Sequence, residues 1–182
     1  DNDDFESYQV AGDDPAFFAN ADIRLQARAH GYADDAAVWQ AVANDPGLAV
    51  IDAFSIAAGG GFGPTSGVIS SIDATESFDP VPLTGADRAS GRSQSVQVIG
   101  VIELGSSANF SALHVNQSAF DAVFGAPDIR RIFVHTTAGS DNVAVARDIE
   151  AALLTSGAQA ESMREVLSEQ NATQSGFLYL MQ

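Results

Sequence analysis

The side chains able to do acid–base or metal chemistry here are three histidines, His30, His114 and His135, and two acidic doublets, Asp13-Asp14 and Asp34-Asp35. No histidine belongs to an H-x-x-x-H pair, and scattered histidines are more often surface or strand residues than ligands. The doublets have the composition of a general acid–base pair, yet both sit where turns and helix caps use aspartate. Gly59-Gly60-Gly61-Phe62-Gly63-Pro64 follows a strand pattern, but Pro64-Thr65-Ser66-Gly67 does not open a helix. Neither phosphate-loop nor dinucleotide spacing is present, so the cluster reads as a hinge. Asp1-x-Asp3-Asp4 lacks the rest of a calcium loop. There is no G-x-S-x-G elbow for a serine hydrolase. The triplets at Asn109, Asn116 and Asn171 match the N-glycosylation pattern. No catalytic, cofactor-binding or metal-ligating residue is assigned, and no cofactor is expected.

Composition narrows the chemistry further. The 182 residues contain neither cysteine nor lysine, which removes thiolate nucleophiles, disulfides, Schiff-base chemistry and a phosphate-loop lysine. All eight basic residues are arginine against 24 acids, a net charge of -16. Nucleic-acid binding is excluded on that balance, because phosphate contacts need a basic face. The acidity suits a solvated surface. No run approaches the roughly 18 to 20 apolar residues that span a bilayer, and the acidic start has no signal-peptide pattern.

The elements that would position these side chains fall into three stretches. Residues 1–21 read poorly, apart from a turn at Asp13-Asp14-Pro15. In residues 22–56, Ile23, Leu25 and Ala27 alternate as a strand. Asp34 or Asp35 caps a helix through Val38, Trp39 and Val42, and 48–56 is an apolar strand. The middle differs: 68–72 is a short strand, 79–95 is polar and turn-rich and reads as a mobile loop, and 94–104 is the strongest strand pattern in the chain. A strand at 112–115 and a helix capped by Asn116 or Ser118 and closed by Gly125 complete it. The final stretch, 129–182, reads as strand-helix-strand. Ile132, Val134 and Thr136 alternate, Asp141 caps, Val145, Ile149, Ala152 and Leu153 form one helical face, and Gly157 stops it. Ser162-Met163-Arg164-Glu165 is then a capping box opening a helix that grows apolar toward Phe177, Leu178 and Met181. The expectation is a bilobed α+β fold. One lobe combines the strand-helix-strand units of 1–60 and 128–182, and a β-rich lobe of 61–127 is inserted into it.

Three stretches carry a likeness to a known family. Gln97-Val98-Ile99-Gly100-Val101-Ile102 is similar to its V-x-G-V strand. Leu113-His114-Val115-Asn116 before Phe120 and Phe124-Gly125 is similar to the strand and short helix that follow. Arg131-Ile132-Phe133-Val134 through Val145, Ile149, Leu153 and Gly157 to the Ser162 helix resembles its last strand-helix-strand unit and exit helix. Over most of its length the chain resembles the extracytoplasmic, MacB-type periplasmic core domain of FtsX-like ABC transporter permeases. That resemblance implies a membrane protein whose outer domain, on the periplasmic or extracellular face, carries no catalytic residues. The split lobe would be membrane-proximal and the domain would relay ATP-driven movement (mechanotransmission) to transport or release a substrate or to regulate a partner. It implies a cytoplasmic ABC ATPase subunit, a second permease copy in a dimer, and an extracytoplasmic partner protein or a lipid or peptide cargo. Transmembrane helices are expected just before residue 1 and just after Gln182. Two alternatives stand beside it: a secreted acidic module that binds a ligand or protein, and a hydrolase using paired carboxylates, which would need both acids in one cleft.

Overall fold

The computed structural model describes residues 7–56, 69, 72, 76–107, 109–125, 131–166 and 168. Within them the fold is α+β, built on a six-stranded mixed sheet. The strands are β1 (Val10–Asp13), β2 (Leu25–Arg28), β3 (Leu48–Asp52), β4 (Val81–Ala86), β5 (Ser93–Ile102) and β6 (Leu113–Asn116). The helices are α1 (Pro15–Asn20), α2 (Asp35–Asn44), α3 (Leu104–Ser107), α4 (Gln117–Phe124) and α5 (Asn142–Ala152).

The sheet runs in the order β1-β6-β3-β5-β2, with β4 also paired to β5. β5 is its spine. Its second half lies parallel to β3 and antiparallel to β2, while its first half forms an antiparallel hairpin with β4. Every residue from Val98 to Ile102 is buried, so this strand needs cover on both faces. α2 supplies some of it: Val38, Trp39 and Val42 are buried, and the Trp39 indole donates to Ile23 O at 3.0 Å. Gly100 is small for a reason. A Cβ there would sit 3.1 Å from each of Leu25, Val38 and Val50. On the β1 side, Phe120 of α4 occupies the space that a Cβ on Gly12 would need.

Local signals act as capping physics requires. Asp14 accepts from Phe17 N at 2.7 Å with Pro15 opening α1, and Asp34 accepts from Ala37 N at 2.8 Å to open α2. Asn116 caps α4 through Ala119 N, and Gly125 ends it at φ +79°. Asp141 caps α5 through Val143 N and Ala144 N.

The division of the chain differs from the sequence expectation. Strands from 61–127 and from 1–60 share one sheet, because β5 pairs with β2 and β3 as well as with β4. The chain instead divides into the units Asp1–Phe133 and Val134–Gln182. Residues 131–136 carry the alternation of a strand but form none, and Ile132 is 74% exposed. An alternating run is a strand only where a neighbour accepts its ladder, and none does among the described residues. Residues 158–161 likewise form no strand. The 79–95 segment, read as a mobile loop, is the β4–β5 hairpin. Its tip is held by the Asp87 carboxylate, which accepts from Ala89 N and Ser90 N.

In the second unit, α5 is followed by a 3-10 turn at Leu154–Ser156, and Gly157 closes it in the left-handed region at φ +71°. Among its described residues only Ala146 and Ser162 are buried. The capping box is not made: Glu165 N and Val166 N donate to the Ser162 carbonyl, while Ser162 Oγ is buried with no partner. No helix of the described residues is long and apolar enough to cross a membrane. The apolar end of the Ser162 helix, from 169 onward, lies outside them.

Candidate functional site

β3 ends in the only acid of an otherwise apolar strand, Leu48-Ala49-Val50-Ile51-Asp52, and that carboxylate is fully buried. Its surroundings give both oxygens hydrogen-bond partners. Asp52 Oδ1 accepts from Phe54 N at 2.8 Å, opening a 3-10 turn at Ala53–Ser55. Oδ2 accepts a short bond from the Tyr8 hydroxyl and lies 3.4 Å from Ser111 Oγ. Ser55 Oγ donates a second short bond to the Tyr8 oxygen. Burial, followed by the bond to Asp52, pushes the Tyr8 phenol well above its ordinary value. The phenol therefore stays protonated and donates. A Tyr–Asp–Ser group has the ingredients of proton transfer, but here each is committed to holding Tyr8, just before β1, against the end of β3. Buried polar groups are tolerated where hydrogen bonds satisfy them in this way.

The second cluster sits one strand away. His114 on β6 is buried, its Nδ1 2.7 Å from Asp13 Oδ2 and its Nε2 3.1 Å from Phe110 O. Phe17 stacks on the ring at 5.9 Å with the planes parallel, and Trp39 meets it edge-on at 6.2 Å. Phe110 and Phe133 extend this aromatic group, with the Arg131 guanidinium 6.0 Å from the Phe133 ring centre and donating to Asn109 O.

The third feature is an open cavity of about 430 Å³ beside the start of α2, lined by Asp22, Arg24, Arg28, Asp34 and Asp35 among others. Arg28, Asp34 and Asp35 are engaged within the fold. Asp35 accepts from Leu25 N and pairs with Arg28 at 2.5 Å, and Asp34 caps the helix.

Among the residues singled out in the sequence, His114 and Asp13 are brought together, while His30 and His135 are exposed. The four aspartates of the two doublets are each engaged in a cap or an ion pair. Asn116 is buried against Val42 O as the α4 cap, so that glycosylation triplet is inaccessible in the fold. The Gly59–Gly63 cluster, Asp1-x-Asp3-Asp4 and Asn171 lie outside the described residues. Among the described residues no three His, Asp or Glu side chains group as metal ligands. Sequence reading missed Tyr8, Asp52, Ser55 and Ser111. One signal was available, an aspartate closing an apolar strand, but its partners lie 44 residues earlier and 59 later.

No family model, curated protein or solved structure matches this chain.

Proposed function

We propose that this chain is a non-catalytic domain that works through contact and movement, as the extracytoplasmic domain of an ABC transporter permease. The observation that carries the proposal is the composition of the second unit. Among its described residues Val134, Leu153, Leu154 and Met163 are exposed, while Ala146 is the one apolar side chain buried. A segment with so little core of its own gains stability by covering its apolar side chains against something else. In a permease that something is the transmembrane region, a second copy or an external partner protein, and ATP-driven motion enters through the same segment. The polar clusters support the reading: Asp52, His114, Asp34 and Asp35 are each taken up in holding the fold. The carboxylate-hydrolase alternative draws no support from them.

The absence of cysteine offers a direct test. Leu154→Cys in the full-length protein is expected to react with a membrane-impermeant maleimide on intact cells. Labelling that appears only after lysis refutes the extracytoplasmic placement. Coupling is tested at Val166, whose amide donates to Ser162 O at 3.1 Å. Proline removes that bond and clashes with the preceding turn, costing about 3 kcal/mol. Val166→Pro is expected to leave ATP hydrolysis intact and to weaken the transported or activated output measured in the same membranes. A secreted binding module is the outcome if the chain is recovered free of any membrane fraction and of any ATPase.

A further inference from the structure

The geometry points to a side-chain clamp, made by Arg131 and Phe133, that closes the first unit and confines the free part of its connection to the second to a hinge at Val134 and His135. The clamp consists of contacts inside the first unit and is independent of the permease reading.

Residues 131–135 form no strand or helix and make no backbone hydrogen bond among the described residues. Side chains hold the stretch instead. The Phe133 ring centre lies 5.3 Å from that of Phe110 and 5.6 Å from that of Phe17, and those two are 6.4 Å apart. The three rings close a triangle at separations where aromatic pairs attract. Phe17 ties this triangle to the core, since it stacks on His114 and meets Trp39 edge-on. Arg131 adds the second jaw. Its guanidinium donates to Asn109 O at 2.9 Å and stands 6.0 Å from the Phe133 ring centre, within reach of a cation–π attraction. Asn109 and Phe110 are adjacent in the loop before β6, so both jaws close on the same piece of the first unit. Ile132 and Val134, which alternate with the two clamp residues, are exposed.

The next contact along the chain belongs to the second unit. Thr136 Oγ1 donates to Asn142 Oδ1 at 2.7 Å, at the start of α5. Between Phe133 and Thr136, Val134 and His135 are exposed and make no hydrogen bond or ring contact among the described residues. The boundary between the two units falls at the same place, between Phe133 and Val134. Hinges are built from a few such connecting residues, whose backbone absorbs the change of direction. Without the clamp the free stretch would run from 131 to 135. With it, only Val134 and His135 remain free, so the clamp sets where the hinge lies. Its contacts are few and near the surface, so it can open locally while the sheet stays folded.

The test uses the whole 182-residue chain. Trypsin cuts after arginine, and the chain has no lysine. Arg131 cannot enter the protease while Asn109 O holds its guanidinium. Cutting of the Arg131–Ile132 bond, relative to the same bond in a peptide of residues 126–137 carrying the same change, therefore measures opening of the clamp. The parent is expected to be cut more slowly than its peptide. Phe133→Ala removes both ring contacts and is expected to raise the relative rate about tenfold. Val134→Ala removes no such contact and is expected to leave it unchanged. A parent cut as fast as its peptide, an unchanged rate in Phe133→Ala, or an equal rise in Val134→Ala overturns the clamp. The hinge is read separately, because a chain without cysteine takes a single nitroxide label at Ile132→Cys or at His135→Cys. The label at 135 is expected to move freely on the nanosecond timescale and the label at 132 to be hindered. Equal mobility at the two positions overturns the hinge. This comparison leaves Arg131 and Phe133 untouched, so it decides even if Phe133→Ala does not fold.

Discussion

Replacing Gly12 with alanine tests the packing of β1 on α4 by adding a single methyl group. Built on the observed backbone, that Cβ lies 2.5 Å from Phe120 Cβ and 2.6 Å from Phe120 Cγ. Carbon atoms pack comfortably at about 3.5–4.0 Å, so the overlap is roughly 1 Å. The obstacle is the root of the phenylalanine side chain, and no rotamer change removes a Cβ. α4 would have to shift, but it is tied at its start by the Asn116 cap and near its end by Arg92, which donates to Ala122 O at 3.2 Å. Overpacking of this kind costs about 1–3 kcal/mol, which for a chain of this size lowers the melting temperature by about 2–4 °C for each kcal/mol. Gly85 on β4 is the matched control. Its added Cβ would have a single neighbour, Gln94 O at 4.0 Å, and its φ is not in the positive region. Gly85→Ala is expected to be neutral or slightly stabilising, through the lost freedom of the unfolded chain. The assay is urea and thermal unfolding followed by circular dichroism. In the Gly12→Ala background, Phe120→Gly is expected to relieve the clash and Phe120→Ala is not, since the latter keeps the offending Cβ. Equal melting of Gly12→Ala and the parent refutes the β1–α4 packing.

Three further outcomes are expected. Trp39→Phe loses the indole donor to Ile23 O and leaves that carbonyl short of a partner, lowering stability by about 1–2 kcal/mol in urea titration. Tyr8 is held above its ordinary value, so the stability it contributes is complete below about pH 10 and is lost as pH rises beyond it. Stability of the parent should accordingly fall on that alkaline limb more steeply than that of Tyr8→Phe, and equal slopes would count against the Asp52 clasp. Ser162→Ala, which would cost about 1 kcal/mol if the hydroxyl capped a helix, is expected instead to leave stability unchanged or raise it, because Ser162 Oγ is buried without a partner.

Much of the local structure was legible because it depends on neighbours in sequence. Asp34, Asn116 and Asp141 cap the helices whose apolar periodicity follows them, and Gly125 stops α4, whereas Gly157, read as the stop of α5, closes the 3-10 turn that follows it. The alternation of β5 was also plain. What could not be read was which strands β5 would pair with, since side-chain period sets a face and not a neighbour. Residues 79–95 looked like a loop because of Pro80, Pro82 and many small polar residues, yet Pro82 lies on β4, whose one strand partner among the described residues is β5. A strand with a free side tolerates proline, because the missing N–H can point away from the ladder. Residues 131–136 misled in the opposite direction: the alternation is good and the partner is missing. The polar clusters were illegible for the same reason, since Tyr8 and Ser111 meet Asp52 only once β1, β3 and β6 are side by side.

The two units therefore stand in different energetic positions. In the first, the buried carboxylate, the buried imidazole and the buried indole each have hydrogen-bond partners, and the apolar strands are covered. In the second, among the described residues, Val134, Leu153, Leu154 and Met163 are exposed and Val145 and Ile149 are half-buried. Burying a leucine, valine or methionine fully is worth about 1.5–3 kcal/mol. Covering Val134, Leu153, Leu154 and Met163 together would thus supply about 6–12 kcal/mol as an upper bound. That is comparable to the whole stability of an ordinary domain. A partner that covered this surface would do more than add affinity. It would supply stabilisation that the described residues of the second unit do not draw from their own burial. Movement of such a partner would then be felt directly by the unit it holds together, which is the physical requirement of a domain that relays motion.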